Sequence, residues 1–325
     1  MSWQRRHVLA TDDWSRDEIE QVLATTAAMV EVLGRPIRRT PALRGRTVIL
    51  FFAEASTRTR VSFELAAKAL SADVTNITAS GSSVEKGETL LDTVRTLTAL
   101  GGDVIVMRHS ASGAPYFVAE RTDAAVINAG DGWHAHPTQG LLDAYTLRGA
   151  LGDLTGKRVV IVGDITHSRV ARSDIDALVP LGATITLSGP PTLVPSAWRC
   201  GMTPRGVTYE LDLDRALDDA DAVIALRLQK ERQHSGLLPS MREYARTWGL
   251  SEERVKRMRP DAPVLHPGPM NEGVEIAASV AHGARSLIET QVTNGVAVRM
   301  ALLYLLAAGA GAPDGVGAPP ELRGS

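Results

Sequence analysis

Cysteine is almost absent from this chain of 325 residues: Cys200 is the only one. A single thiol excludes an intramolecular disulfide and a cysteine metal cluster within one chain, and it fits a reducing cytoplasm. Long apolar runs are missing too. The longest late one, 301–308, falls well short of the roughly 20 residues that span a bilayer and reads as a core helix. The opening residues MSWQRRHVLATDDW are basic at first but lack the apolar stretch of an export signal. Neither sign of charge dominates, since 35 Lys and Arg against 37 Asp and Glu leave a net charge of −2. That balance excludes a general nucleic-acid binder, which needs a basic face for counterion release, so any anion site must be local.

What is present is an ordinary globular composition, with 44% hydrophobic and 22% charged residues, at a length that favours two domains. Ser15 and Glu18 form a capping-box pattern, after which Ile19, Val22, Leu23, Met29 and Val30 recur at helical spacing. TVILFF (47–52) is a β-rich run followed by a helical pattern over 58–70. The same order repeats as DVTNIT and a helix from Glu88, DVIVMR and a short helix near Tyr116, and AAVINA and a helix from Thr138. A second series runs through RVVIVGD, a helix over 168–181, ATITLSG, DAVIAL and APVLHPG. Alternating βα units imply parallel sheets.

The expected fold is therefore α/β, with two domains that are each a mostly parallel sheet flanked by helices. A long last helix, 285–308, is interrupted in its pattern by Asn294-Gly295 and is expected to pack back on the first domain. The expected boundaries are 1–137 joined by the helix at about 286–308, then 138–285, then a mobile Gly- and Pro-rich tail at 309–325.

Several phrases carry chemistry. Ser56 to Arg60, STRTR, stands where a helix begins directly after a strand, and free N–H groups there attract phosphate. Arg58 adds a planar fork that a lysine could not match. The bland alternative is an N-cap with solvated arginines. MRH (107–109) ends a strand and HPTQ (136–139) opens a helix, at strand ends where open α/β sheets bind ligands. Taken alone, a histidine before proline is more often a loop residue. GSSVEKGET (81–89) reads by itself as a polar loop, Arg169 as a solvent-exposed helix start, and LQKER after Arg227 as a charged loop.

The order of these phrases decides between the readings. STRTR followed by SFE, then SSVEKGET, HPTQ, the arginines Arg169 and Arg227, and HPGPMNEGVEI (266–276) together resemble the aspartate and ornithine carbamoyltransferases over roughly 15–308. The resemblance implies that Ser56, Thr57, Arg58 and Thr59 bind the phosphate of carbamoyl phosphate. It places Arg108, His136 and Thr59 at the carbamoyl oxygen and Gln139 on the carbamoyl amide, with backbone carbonyls of Pro267 and Gly268 nearby. Ser82 and Lys86 sit in the loop that, in this family, reaches a neighbouring subunit's site. Arg169, Arg227 and Gln229 are the carried-over ligands of the acceptor's carboxylates, with Lys86 reaching the acceptor as well. Two cations suit L-aspartate, and the ornithine phrases containing HCLP and serine-methionine-glycine are missing; a carbamoyltransferase acting on another amino acid such as ornithine is the alternative. Glu272 departs from the basic residue common in that slot and has no assigned role.

By the same resemblance no metal or organic cofactor is required, the assembly is a homotrimer with shared active sites in the cytoplasm, and regulatory chains or a dihydroorotase are conceivable partners. No nucleic acid or membrane partner is expected. A nicotinamide oxidoreductase is disfavoured because G-x-G-x-x-G does not follow RVVIVGD. A silent scaffold is disfavoured by the presence of Arg58, His136, Arg169 and Arg227.

Overall fold

The apolar runs form the inner strands of two parallel sheets in a computed structural model that describes residues 3–78, 89–228 and 240–309. The first sheet contains β1 (Thr47–Phe52), β2 (Asp73–Thr78), β3 (Val104–His109) and β4 (Ala125–Asp131) in the order β2-β1-β3-β4. The second contains β5 (Arg158–Val162), β6 (Thr184–Ser188), β7 (Val207–Tyr209), β8 (Ala222–Ala225) and β9 (Val264–Leu265) in the order β7-β6-β5-β8-β9. Inner β1 is buried from Val48 to Phe52, while edge β2 is mostly exposed, as expected when helices cover both faces of a parallel sheet's centre. The three-residue edge strand β7 is too short to leave a periodic signal in the sequence.

The helices are α1 (Arg16–Leu33), α2 (Thr57–Ala69), α3 (Leu90–Ala99), α4 (Ala114–Ala119), α5 (Pro137–Leu151) and α6 (Arg169–Leu178). Then come the short α7 (Ser196–Arg199), α8 (Leu213–Leu217), α9 (Met241–Trp248), α10 (Glu252–Val255) and α11 (Ala278–Ala281), before the long α12 (Ile288–Gly309). The capping box forms: Ser15 Oγ accepts from Glu18 N–H, and Glu18 Oε2 accepts from Ser15 N–H at 2.8 Å. Arg5 donates to Glu18 at 2.6 Å and, as the leading cause, holds its carboxyl down at about 2. Helix α3 starts later than the pattern suggested, because Thr89 is its N-cap and accepts from Asp92 N–H at 3.2 Å.

Helix α12 also starts late and runs unbroken. Residues 285–287 are used first as an added edge beside β9, with Val264 N–H bonded to Arg285 O at 2.9 Å and Leu287 N–H to Val264 O at 3.0 Å. Asn294 does not interrupt the helix, since its amide donates to Thr146 Oγ1 on α5 at 3.0 Å. α12 packs against α1, α2 and α5, so this helix returns to the first sheet's side. Burying Leu302, Leu303, Leu305 and Leu306 there contributes about 1.5–3 kcal/mol each.

One apolar cluster runs from Phe52 and Phe63 through Leu141 and Leu147 of α5 to Ile161 and Leu187, with Met300 and Leu302 alongside. α5 is thus a core helix between the sheets. Gly140 lets it approach α6, where any side chain would collide with the Ser173 backbone. Among the described residues no helix is long and apolar enough to cross a membrane.

Candidate active site

Strand order reverses at the β1–β3 boundary in the first sheet and at the β5–β8 boundary in the second, which are the crevices where such sheets bind ligands. One cavity of about 740 Å³ lies there, and the carboxyl ends of β1, β3, β5, β8 and β9 all contribute to its lining. It brings together Ser56, Thr57, Arg58, Thr59, Arg108 and His136 with Gln139, Arg169, Arg227, Pro267 and Gly268.

The N-terminus of α2 forms one end. Ser56 is its N-cap by position, yet its side chain makes no capping bond, and the first turn contains no acidic residue. The hydroxyl is therefore not used inside the helix and, with the first N–H groups, lies at the cavity wall, where the dipole favours an anion. Desolvation, then the Arg227 charge, lower the Arg58 pKa from its usual value. Gly268 (φ +63°) closes over this cradle: any side chain there would collide with the Arg58 guanidinium. The left-handed backbone favours glycine at this position.

Glu54 is the hub of the other charges. Its Oε1 accepts from Arg108 Nη2 at 2.6 Å and from Arg169 Nη2 at 2.8 Å, and its Oε2 from Arg169 Nη1 at 3.2 Å. Arg108 further donates to Ala129 O and Arg169 to Gly132 O, so both guanidiniums are held by the backbone at the carboxyl end of β4 as well. Arg169 is therefore not the solvated helix start of the bland reading; it is only 4% exposed. The loop before it is braced by Asp164, which bonds His167 Nδ1 at 2.8 Å, and by Ser168 Oγ, which caps α6 at Ala171 N–H.

His136 sits between these ends as the N-cap of α5, with its N–H donating to Ser173 Oγ at 2.8 Å. Burial, followed by the charges of Arg108, Arg169 and Arg299, pushes its pKa well below the usual histidine value. A neutral ring offers one N–H as a hydrogen-bond donor and does not act as a cationic acid at neutral pH. Gln139, one turn on, donates its amide to Asp143 Oδ1 and Oδ2 at 3.1 and 3.2 Å, which leaves its Oε1 to accept from a ligand N–H.

Three functional candidates escaped the sequence reading. Glu54 lay in plain view beside STRTR, but only the fold shows which arginines it joins. Gln291 lines the cavity and accepts from His266 N–H at 2.9 Å while donating to Asp143 at 2.6 Å. Arg299, buried on α12, donates to Ser62 Oγ at 2.9 Å, and desolvation lowers its pKa to about 10. Neither α12 residue stands in a phrase that sets it apart from an amphipathic helix. Ser82, Lys86 and Gln229 lie outside the described residues. Glu272 bonds His282 Nε2 at 3.1 Å on the exposed flank of the HPGP segment. Among the described residues no group of three or more His, Cys, Asp or Glu could hold a metal ion.

Comparison with known proteins agrees with this geometry. Residues 6–149 match the aspartate/ornithine carbamoyltransferase carbamoyl-P binding domain, and residues 155–306 match the Asp/Orn binding domain of the same family. An aspartate carbamoyltransferase catalytic subunit of Roseiflexus castenholzii is 60% identical over 93% of this chain and 95% of its own length. A protein of the same description from an Anaeromyxobacter strain is 55% identical over 96% of this chain and 98% of its own. Among solved structures, aspartate transcarbamoylase from Trypanosoma cruzi in complex with N-(phosphonacetyl)-L-aspartic acid superposes with a TM-score of 0.83 at 29% identity, over 93% of this chain and 96% of that one. Ornithine carbamoyltransferase from Pyrococcus furiosus gives 0.85 at 26% identity, over 95% and 99%. With both halves matched in order and relatives this similar along nearly the whole length, the chain belongs to the aspartate/ornithine carbamoyltransferase family.

Proposed function

We propose that the chain transfers the carbamoyl group of carbamoyl phosphate to the α-amine of L-aspartate, giving N-carbamoyl-L-aspartate and phosphate, the step that commits carbamoyl phosphate to pyrimidine synthesis. The observation that carries this reading is a single cavity with an anion cradle at α2 and two further guanidiniums, Arg169 and Arg227, from the second sheet. Fold alone does not separate aspartate from ornithine as acceptor, because both kinds of enzyme superpose well. The 55–60% identical relatives described as aspartate carbamoyltransferases favour aspartate, as does a site whose cations would repel the ornithine ammonium.

In this reading Ser56, Thr57, Arg58 and Thr59 hold the phosphate. Arg108, His136 and Thr59 donate to the carbamoyl oxygen as it gains charge, and Gln139 Oε1 accepts from the carbamoyl amide. Pro267 and Gly268 supply backbone carbonyls to that amide and to the incoming amine. Arg169 and Arg227, with Gln229, take the two carboxylates. The neutral amine attacks the carbamoyl carbon, the C–N bond forms, and a tetrahedral intermediate collapses with cleavage of the C–O bond to phosphate. The departing phosphate accepts the amine proton, so catalysis is positioning and electrostatic stabilisation by preorganised donors.

The active form is a cytoplasmic homotrimer in which Ser82 and Lys86 of one subunit complete the site of the next. Residues 1–137 with 286–308 bind carbamoyl phosphate and 138–285 bind aspartate. Incubation with carbamoyl phosphate and either amino acid tests the central reading: carbamoyl aspartate should form, and citrulline should not. Comparable citrulline formation would assign the wrong acceptor.

A further inference from the structure

Asp143 of α5 and Asp174 of α6 are carboxyl groups sealed from solvent, both 0% exposed, where those two helices pack. Asp143 is fully engaged. Its Oδ1 accepts from Gln291 Nε2 at 2.6 Å, and both of its oxygens accept from Gln139 Nε2. Asp174 is the opposite case, since neither of its oxygens receives a hydrogen bond. Two carboxylates contain no donor between them, so as a pair of anions they have only repulsion. A proton on Asp174 changes that: Asp174 becomes a donor, and Asp143 is the acceptor beside it. The neighbouring charges support this distribution. Arg299 of α12 favours the anion at Asp143, whereas Asp176, on Asp174's own helix, disfavours one at Asp174. Gln139 and Gln291, the other polar groups on Asp143, are neutral.

We propose that Asp143 is the positioning residue that turns Gln139 Oε1 toward the carbamoyl amide, and that Asp174 is its protonated partner, the pair sharing one proton in the working enzyme. The proposal rests on the reading of Gln139 given above. By taking the Gln139 NH2 group, the Asp143 anion decides which end of that amide faces the cavity. Through Gln291 it also ties α12 to the backbone of His266, just before Pro267 and Gly268, so one carboxylate orients two groups at the carbamoyl end.

The pair has a one-proton window. Adding a second proton removes an acceptor that two amides need, and removing the last proton leaves two buried anions in contact. Burial raises Asp143 to about 6, and burial together with Asp143 itself raises Asp174 well above the ordinary carboxylate value, so the window covers neutral pH.

Two variants and one spectrum test this on the whole protein. D174N supplies a permanent donor to Asp143: kcat/KM for carbamoyl phosphate at pH 7 should stay within about twofold of wild type, and any alkaline fall due to this pair should vanish. D143N leaves one carbonyl oxygen where two oxygens accept, so its NH2 group is set against at least the Gln139 NH2, and kcat/KM for carbamoyl phosphate should drop by about tenfold or more. The infrared difference between wild type and D174N at pH 8, recorded without substrate, should contain the C=O stretch of a protonated carboxyl. Absence of that band, with an unchanged alkaline limb in D174N, would overturn the shared proton. A folded D143N with unaltered carbamoyl phosphate kinetics would overturn the positioning role. Because the spectrum needs no turnover, a band in a protein that forms no carbamoyl aspartate would refute the functional reading while leaving the pair intact; and should D143N not fold, the D174N pH profile and the band still decide.

Discussion

The two halves of the cavity present their cationic groups by different means. At α2 the polar groups are local: a strand ends, a helix begins five residues later, and the first-turn N–H groups, hydroxyls and Arg58 come from one short phrase. On the second sheet's side nothing comparable is local. Arg169 is set by a carboxylate more than a hundred residues earlier, Glu54, and by the Gly132 carbonyl, while Arg227 arrives from β8. The α2 end is thus a property of backbone geometry, and the opposite end is a property of how the two sheets are held against each other. Glu54 joins them, since it bonds one arginine from each side.

The largest expected break is at the local end. Arg58→Ala should lower turnover by at least two orders of magnitude, roughly 3 kcal/mol, with folding retained, because a charge-assisted fork at the phosphate is lost. Steady-state kinetics with circular dichroism as a folding control checks it, and near-normal turnover by the folded variant would remove Arg58 from the cradle. At the hub, Glu54→Gln should cost about tenfold in kcat/KM and should affect both substrates, since misplaced guanidiniums on either side of the cavity weaken both. Improved aspartate affinity in this variant would mean that Glu54 merely occupies the substrate's place.

If the chain forms the proposed homotrimer with shared sites, Lys86→Ala and Arg227→Ala chains, each inactive, should regain about a quarter of wild-type activity when dissociated and randomly reassembled, because three quarters of trimers are then mixed and each mixed trimer has one intact site. Activity equal to the parental sum, with exchange demonstrated, would place Lys86 in its own chain's site. The smallest effect is on stability. The Asp174 pKa is raised on folding, so the folded state binds the extra proton and wild-type stability falls as pH rises from about 4 toward the folded value, by about 1.4 kcal/mol per pH unit. Urea titrations should therefore show Asp174→Asn gaining on wild type by about that slope; parallel curves would deny Asp174 its proton.

The sequence alone determined the alternation of strands and helices, the two parallel sheets, the return of the last helix and the positions of STRTR, HPTQ and HPGP. Those features are written in nearest-neighbour terms: apolar runs of strand length, capping residues, and a helix start after a strand. Boundaries failed where tertiary contacts overrode local pattern. The start of α12 was given up to the edge of β9, and Asn294-Gly295, which reads as an interruption, was absorbed by contacts with Thr146 and Arg299. Only the tertiary structure decided that Glu54 bridges Arg108 and Arg169, that Gln291 and Arg299 of α12 reach the cavity, and that Asp143 meets Asp174. Each of these depends on groups that are distant along the chain being desolvated together, and burial, which sets both their charge states and the need for partners, is a property of the packed whole rather than of any segment.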